Sequence, residues 1–544
     1  MKETFSQGNV FRINRYENAA ASSDLFVAWE NTADGLIKAF PLILEKPRNT
    51  DHGVRTIVLE VRKYGSDTVF RCFCNVSSPE TFLPDRAVES VGHVGLDDLE
   101  SMLRAHIVQT CVPEYVKLKQ KMKNDFKAGT TRIPVSGPVI DSNDVAEIVN
   151  TALKGWFTAG EMNDKFEKSM SDYLGVKHVI TTNSGSSAVL LAVASLTSPA
   201  LGERRLVPGD EVVTVAAGFP TTVNPLLLFG LRPVFVDVDI PTYNVDPNAL
   251  ESAITPETRA ILLPHTLGNP FNVEKVLDIA TTNNLWVIED ACDALGSTFT
   301  FTDTTHSQNM VGTFGDIGAF SFFPAHHITM GEGGALVTKN DRLAEIIVSF
   351  RDWGRDCRCK PGQDNLCGNR FGFKWKNLPH GFDHKYVYSH PGFNLKITEM
   401  QAALGFSQLS RIDSFTLQRK ENFSRLYEGL KSLQDFLLLP EATPGSSPSW
   451  FGFPVTVKHD SPVNRLEIVK FLENRKIGTR MLFAGNICRQ PYFENINYRL
   501  GSTLNNTDTI MERTFWVGLQ PALSNEMLDY IIESFSDCFR EAGL

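Results

Sequence analysis

The chain contains no apolar run near the ~18 residues that crossing a bilayer requires. Its opening residues, Met1-Lys2-Glu3-Thr4-Phe5-Ser6-Gln7, lack the apolar centre of a secretory signal, so a cytoplasmic protein without a membrane span is expected. Basic residues are in short supply: 53 Lys and Arg against 63 Asp and Glu leave a formal charge of −10, which argues against a nucleic-acid partner. A few local cations could still hold a phosphate on an acidic protein. Cysteine is also scarce, with nine scattered through 544 residues, too few for a disulfide scaffold. Internal repeats and low-complexity tracts are missing.

What is present is an ordinary globular composition, 42% hydrophobic and 21% charged, long enough for three or four units. Residues 1–100 read as an extra α/β or α+β domain. Thr56–Arg62 and Thr68–Cys74 suggest two strands joined by a turn at Lys63–Asp67. Residues 101–138 read as helix and linker, with helix over Asp97–Val116 and a Gly/Pro/Ser-rich crossing at Ala128–Pro138. From 139 to 405, short apolar runs such as Glu211–Val215, Pro233–Asp237 and Leu285–Glu289 alternate with helical segments. That pattern predicts an α/β domain with a mainly parallel sheet between helices. Residues 406–544 read as a long helical stretch, Ser407–Ser432, and a smaller α/β domain.

Several segments carry chemistry. Thr182-Asn183-Ser184-Gly185-Ser186-Ser187-Ala188 follows a strand and opens an apolar helix. Unpaired N–H groups at such a terminus suit a phosphate, though a plain Ser/Gly cap is the commoner use. Asp290 ends a buried strand, where ligands of parallel sheets bind, or where an Asp caps the next helix. Phe219 could stack on an aromatic ligand or belong to the core. Cys357-Arg358-Cys359 with Cys367 gives Cys-x-Cys-x7-Cys, and Cys292 lies upstream. Four thiolates suit structural zinc or a 2Fe-2S cluster, and spacing alone favours the more numerous zinc sites. Cys72 and Cys74 share a strand face and read as buried structural thiols; Cys111, Cys488 and Cys538 read as ordinary thiols. His380, His384 and His390 default to structural or surface roles, and Arg480 is a candidate for a substrate diphosphate.

The stretch Ser321-Phe322-Phe323-Pro324-Ala325-His326-His327-Ile328-Thr329-Met330-Gly331-Glu332-Gly333-Gly334 resembles the cofactor-lysine segment of sugar aminotransferases that use pyridoxal phosphate (PLP). Together with residues 184–188, Phe219, Asp290 and Pro391–Gly405, it resembles the DegT/DnrJ/EryC1/StrS family in order and spacing. The likeness covers roughly residues 100–544 and is nearest to the CDP-4-dehydro-6-deoxyglucose 3-dehydrases of that family. It implies the aspartate-aminotransferase-like fold. Where the aminotransferases have lysine, this chain has His326, as those dehydrases do. An imidazole cannot form a Schiff base, but with an ordinary pKa of about 6.5 it can move a proton near neutrality.

The resemblance therefore implies pyridoxamine phosphate (PMP) held without a covalent bond and His326 as the base. Ser186 and Ser321 beside Gly185 would hold its phosphate, and Asn394 would reach it from the neighbouring subunit of a homodimer. Asp290 would face the pyridine nitrogen and Phe219 would stack on the ring. A 2Fe-2S cluster would sit on Cys292, Cys357, Cys359 and Cys367, although the Cys292–Cys357 interval is lengthened around Thr300–Met310. The expected reaction removes the 3-hydroxyl of a nucleotide-linked 4-keto-6-deoxyhexose, in 3,6-dideoxyhexose and lipopolysaccharide O-antigen synthesis. Its electrons would come from a flavin/iron–sulfur reductase. Rival readings are a cluster-free dehydratase fed by glutamate, an ordinary aminotransferase, and a non-catalytic sugar-nucleotide-binding protein. Residues 1–100 would serve reductase docking or assembly.

Overall fold

The computed structural model describes residues 25–29, 38–44, 55–62, 69–76, 96–121, 125–302, 308–375 and 377–543. The chain divides into two units, Met1–Lys123 and Asn124–Leu544. In the first, strands Leu25–Trp29, Lys38–Leu44, Arg55–Arg62 and Val69–Val76 form an antiparallel sheet in chain order. Ile57 lies opposite Cys74 and Leu59 opposite Cys72. The turn at Lys63–Asp67 and the side chains of these two cysteines lie outside the described residues.

The helix expected over Asp97–Val116 is helix Leu96–His106, a wider π turn over Ile107–Cys111, and helix Val112–Lys121. Pro113 has no N–H to return to the preceding turn, which accounts for the break in the regular ladder.

The second unit is built on an eight-stranded sheet. Its spatial order is Arg499–Leu500, Arg232–Val236, Glu211–Val215, Thr258–Pro264, Trp286–Asp290, Ile317–Ser321, Gly334–Thr338 and His178–Thr182. Only Gly334–Thr338 runs antiparallel to its neighbours. Strand side chains alternate between the two faces. Val213, Val215, Ile261, Leu263 and Val287 enter one core, while Val212, Ala260, Leu262, Trp286 and Ile288 enter the other. Covering both faces explains why these strands read as unbroken apolar runs.

A smaller antiparallel sheet joins Leu437–Leu438, Gly452–Val457, Thr514–Gly518 and Thr479–Met481. Leu426, Phe453, Ile468 and Phe535 fill its core. Among the described residues, no helix is long and apolar enough to cross a membrane.

The expected helical stretch Ser407–Ser432 is two helices, Glu399–Leu409 and Ile412–Leu430. The cause is a buried carboxylate far away in sequence. Asp144 accepts from Ser407 Oγ and Gln408 Nε2, each at 2.7 Å, and from Arg411 at 2.5 Å. Arg411 also reaches Asp141 at 2.9 Å. The lengthened segment after Cys292 forms a hairpin of Thr298–Thr300 and Gln308–Met310, extended by Ser446–Ser447. Val311 N donates to Ser297 O at 3.1 Å and closes it at the base. The extra residues thus leave the sheet and return to it at the same place.

Glu289, just inside the end of its strand, is almost wholly buried and binds four donors. It accepts from His265 Nε2 at 3.0 Å and from the N–H groups of Gly312, Phe314 and Gly315 at 2.8, 2.7 and 2.6 Å. Burial opposes its charge, but these bonds outweigh burial and hold its carboxyl below the ordinary range. Glu289→Ala would leave the donors buried and unpaired, at a cost of about 3–5 kcal/mol. Chemical denaturation should show that loss, and an unchanged midpoint would refute it.

Candidate functional site

Three strand ends and one strand start converge on a single edge of the sheet. Asp290 ends its strand, with Ala319 as its register partner on the strand ending at Ser321. Ser321 lies opposite Gly334, and Gly334 opposite Thr182, where the chain turns into helix Gly185–Leu196. Ser184 caps that helix by accepting from Ser187 N at 3.1 Å. The approach is too close for side chains. A Cβ on Gly185 would lie 2.3 Å from Ser321 Cβ, and one on Gly334 would lie 2.4 Å from the Ser184 carbonyl oxygen. Gly185 and Ser321 are buried, while Ser186 is exposed at the helix start.

Asp290 is buried and aimed. Thr222 Oγ1 donates to its Oδ2 at 2.7 Å, and Cys292 N donates to its Oδ1 at 3.2 Å. Burial pushes its carboxyl above the ordinary range despite these bonds. Thr222 belongs to helix Pro220–Leu228, and Phe219 immediately precedes that helix. Phe219 is half exposed and meets Phe483 edge-on at 5.7 Å.

His326 stands on the loop leaving Ser321, which is pinned by Phe322 N to Gly333 O at 2.9 Å and Met330 N to Phe322 O at 2.8 Å. Its Nδ1 lies 3.3 Å from Asp293 Oδ1. The angle there does not make a hydrogen bond, so Nδ1 has a charged neighbour but no hydrogen-bond partner. The ring lies 5.2 Å from that of Phe451.

His327 takes the other direction, donating from Nε2 to Ser449 O at 2.6 Å. Burial, with Arg419 adding to it, holds His327 well below its ordinary pKa. Arg419 is itself buried and pulled down to about 10 by burial, against the attraction of Asp293. It donates to the carbonyls of Trp450 and Phe451, each at 3.2 Å, and of His326 at 3.4 Å.

Asn394 is exposed and forms a β-bridge with Asp352. Its Oδ1 accepts from Lys396 Nζ at 2.7 Å, so the side chain is engaged locally. Leu395 O accepts from Asn183 N at 2.9 Å, tying this segment to the loop before Gly185.

Cys357, Cys359 and Cys367 line one cavity with His384. Cys292 is not among its lining residues. Burial pushes the Cys292 thiol well up, and the Asp290 carboxylate raises it further. Among the described residues, no three His, Cys, Asp or Glu side chains are arranged as a formed metal site. His390 bridges Ser198 and Ser349 at 2.7 and 2.8 Å and stacks on Phe350. Arg480 is exposed and donates to the carbonyl of Thr479.

Thr222, Asp293 and Arg419 escaped the sequence reading. Asp293 alone had a signal, standing three residues beyond Asp290 in the same motif. Thr222 and Arg419 sit within regular helices whose pattern gives no hint of their tertiary partners.

The sheet order, the ligand-ready strand ends and the smaller C-terminal sheet define the fold of the PLP-dependent aminotransferases. The chain belongs to the DegT/DnrJ/EryC1/StrS aminotransferase family, which it matches over residues 138–536. It is 60% identical over 414 residues to the lipopolysaccharide biosynthesis protein RfbH of Salmonella typhimurium, covering 76% of this chain and 93% of that protein. It is 51% identical over 412 residues to the dTDP-4-dehydro-2,6-dideoxy-D-glucose 3-dehydratase of Saccharopolyspora spinosa, covering 76% of this chain and 87% of that protein. A solved structure of E. coli GDP-4-keto-6-deoxy-D-mannose-3-dehydratase with bound hydrated PLP superposes with a TM-score of 0.66 at 29% identity. That match covers 74% of this chain and 98% of the other.

Gly185→Ala should separate the helix start from Ser321, with an overpacking cost of about 1–3 kcal/mol. Thermal denaturation should register it, and wild-type stability in this variant would contradict the close approach.

Proposed function

We propose that the chain is a PMP-dependent dehydrase that removes the 3-hydroxyl of a nucleotide-linked 4-keto-6-deoxyhexose, with electrons passed through a 2Fe-2S cluster. The observation carrying this reading is His326. It occupies the position of the family's lysine, on the loop leaving Ser321, and its Nδ1 is free of any hydrogen bond. The residues fit the cofactor. The Gly185–Ser321 contact presses Ser321 against a helix start, whose unpaired N–H groups suit a phosphate dianion. Among the described residues Asp290 is a buried carboxylate bonded to Thr222 and the Cys292 N–H and to no basic side chain, and a pyridinium would supply the missing cation. PMP, when bound, supplies the amine that engages the 4-keto group and the ring that accepts electrons.

The chain's own residues do the rest. Ser186 and Ser321 hold the phosphate, joined in a homodimer by Asn394 from the neighbouring subunit. Phe219 covers the ring. Asp290, aimed by Thr222, keeps the ring nitrogen protonated. His326 removes the proton whose loss allows the 3-hydroxyl to depart, and Asp293 steadies the imidazolium that results. His327 is excluded from that work because its Nε2 is committed to Ser449 and burial keeps it neutral.

CDP-4-dehydro-6-deoxyglucose is taken as substrate, within 3,6-dideoxyhexose and lipopolysaccharide O-antigen synthesis. The name of the Salmonella relative supports that setting, and the name of the Saccharopolyspora relative supports a 3-dehydratase. The shared cavity of Cys357, Cys359 and Cys367 favours the cluster-dependent course over a glutamate-fed one. A flavin/iron–sulfur reductase is the electron donor, and residues 1–100 are assigned to its docking or to assembly.

His326→Lys should gain the visible absorbance of a lysine-bound aldehyde cofactor and lose dehydration. His326→Asn should keep the cofactor and lose about 10²–10⁴-fold in the chemical step. Normal dehydration by both variants would move the base elsewhere.

Replacing any of Cys357, Cys359 or Cys367 should divide the reaction. With CDP-4-dehydro-6-deoxyglucose, exchange of the 3-oxygen with labelled solvent should persist while net deoxygenation falls. Cysteine variants with full reductase-coupled turnover would remove the electron-transfer claim, and glutamate-driven turnover without iron would replace it.

A further inference from the structure

We infer that a buried water molecule, held between Arg419 Nε, His327 Nδ1 and His326 Nδ1, fixes His326 as the tautomer that carries its hydrogen on Nδ1. The inference rests on the reading of His326 as the base and concerns what keeps that imidazole ready to accept a proton.

Three buried nitrogens share one cavity. His326, His327 and Arg419 all line it, and its volume of about 10 Å³ is close to what the centre of a single water needs. His326 Nδ1, His327 Nδ1 and Arg419 Nε are buried without a hydrogen-bond partner in the protein. His327 is 3% exposed and Arg419 1%, so bulk solvent does not serve them. Folded chains rarely strand such atoms, and a bridging water is the common way to satisfy them. Other polar groups of the wall are spent. Gln408 Nε2 gives its two hydrogens to Val139 O at 2.9 Å and Asp144 Oδ2 at 2.7 Å. Thr329 Oγ1 donates to Phe322 O at 3.2 Å and accepts from Gly331 N at 2.9 Å. The Nη atoms of Arg419 go to the carbonyls of Trp450, Phe451 and His326.

Counting hydrogens identifies the ligand. A carbonyl can only accept, so the 2.6 Å bond to Ser449 O puts the hydrogen of His327 on Nε2 and leaves a lone pair on Nδ1. Arg419 Nε is a donor and nothing else. The cavity therefore presents one donor and one acceptor, which a water satisfies by accepting from Arg419 and donating to His327. Chloride has no hydrogen for His327, and ammonium has no lone pair for Arg419.

The second lone pair of the water remains for His326. Asp293 Oδ1 lies 3.3 Å from His326 Nδ1 and makes no hydrogen bond with it. That carboxylate repels a lone pair on Nδ1 and favours an N–H there, and the water accepts its hydrogen. The partner of one ring nitrogen decides the state of the other, so His326 Nε2 keeps the lone pair that a base requires. His327 is then a positioning residue, acting on the reaction through the water and His326.

The test uses the full chain with its cofactor. A high-resolution crystal structure should place one solvent oxygen within hydrogen-bond distance of all three nitrogens, without the anomalous signal of chloride. ¹⁵N NMR of histidine-labelled protein, with His326→Asn and His327→Asn to identify the signals, should show His327 protonated on Nε2 and His326 on Nδ1. Two substitutions at 327 then separate holding the water from tying the loop to Ser449. His327→Gln keeps a donor for Ser449 and loses the acceptor; His327→Asn keeps an acceptor where Nδ1 stood and loses the bond to Ser449. The Gln variant should show a mixed His326 tautomer and a lower kcat for exchange of the 3-oxygen at unchanged KM. The drop is bounded by the roughly 10²–10⁴-fold that a general base supplies. The Asn variant should hold the tautomer and lose less. Equal losses or the reverse order, no ordered solvent, chloride in its place, or His326 protonated on Nε2 overturns the inference. If water and tautomers are as stated but His326→Asn dehydrates normally, the water site stands and the base reading falls.

Discussion

The edge of the sheet that gathers Asp290, Ser321 and Gly185 depends on a neighbouring buried carboxylate, Glu289. Glu289 and Asp290 are consecutive on one strand, so their side chains leave opposite faces. Glu289 gathers His265 and three backbone N–H groups from the Gly312–Gly315 turn. That turn feeds directly into strand Ile317–Ser321, whose end carries Ser321. The anchor therefore sets the register in which Ala319 lies beside Asp290, and with it the placing of the carboxylate relative to the Gly185–Ser321 contact. Three N–H groups and an imidazole are the compensation that lets a carboxylate stay charged where burial alone would neutralise it.

From that register the rest of the edge follows by steric exclusion. Ser321 must pass Gly185, and Gly334 must pass the Ser184 carbonyl, at separations that admit no Cβ. The helix start is thereby pressed onto the strand ends. Its free N–H groups, the Ser321 hydroxyl and the Asp290 carboxylate are fixed by the same contacts that pack the sheet. Tight packing and ligand geometry are one constraint here, which is why the glycines fall within the motif and not in the surrounding helices.

Much of this could be read from residues alone, and what could not has a common cause. Runs such as Glu211–Val215 announced strands covered on both faces, because each alternate residue meets a different core. The segments around Gly185, Asp290 and His326 stood out because glycine, carboxylate and histidine there have no simple role in packing. The helix break at Ser410–Arg411 was invisible, since its cause is Asp144, more than 250 positions away. Arg419 was hidden inside an amphipathic helix, and Glu289 looked like the polar end of a strand. His384 was read as structural or surface. Its burial against Phe373 and its place beside Cys367 arise only when the Cys357–His390 loop closes on itself. Local pattern exposes periodicity and odd residues, but the partner of a buried charge is a tertiary fact.

Arg419 also explains how two neighbouring histidines come to differ. A buried guanidinium beneath the loop donates to the backbone of His326 and to Trp450 and Phe451 of the smaller domain. It thus fastens the loop to the segment entering strand Gly452–Val457. The same positive charge disfavours protonation of His327, which is already buried and bonded to Ser449. His326 escapes that burial and has the Asp293 carboxylate beside it, a counter-charge suited to an imidazolium. One cation and one anion around the loop therefore give two neighbouring histidines different settings, His327 bonded to Ser449 and His326 beside Asp293.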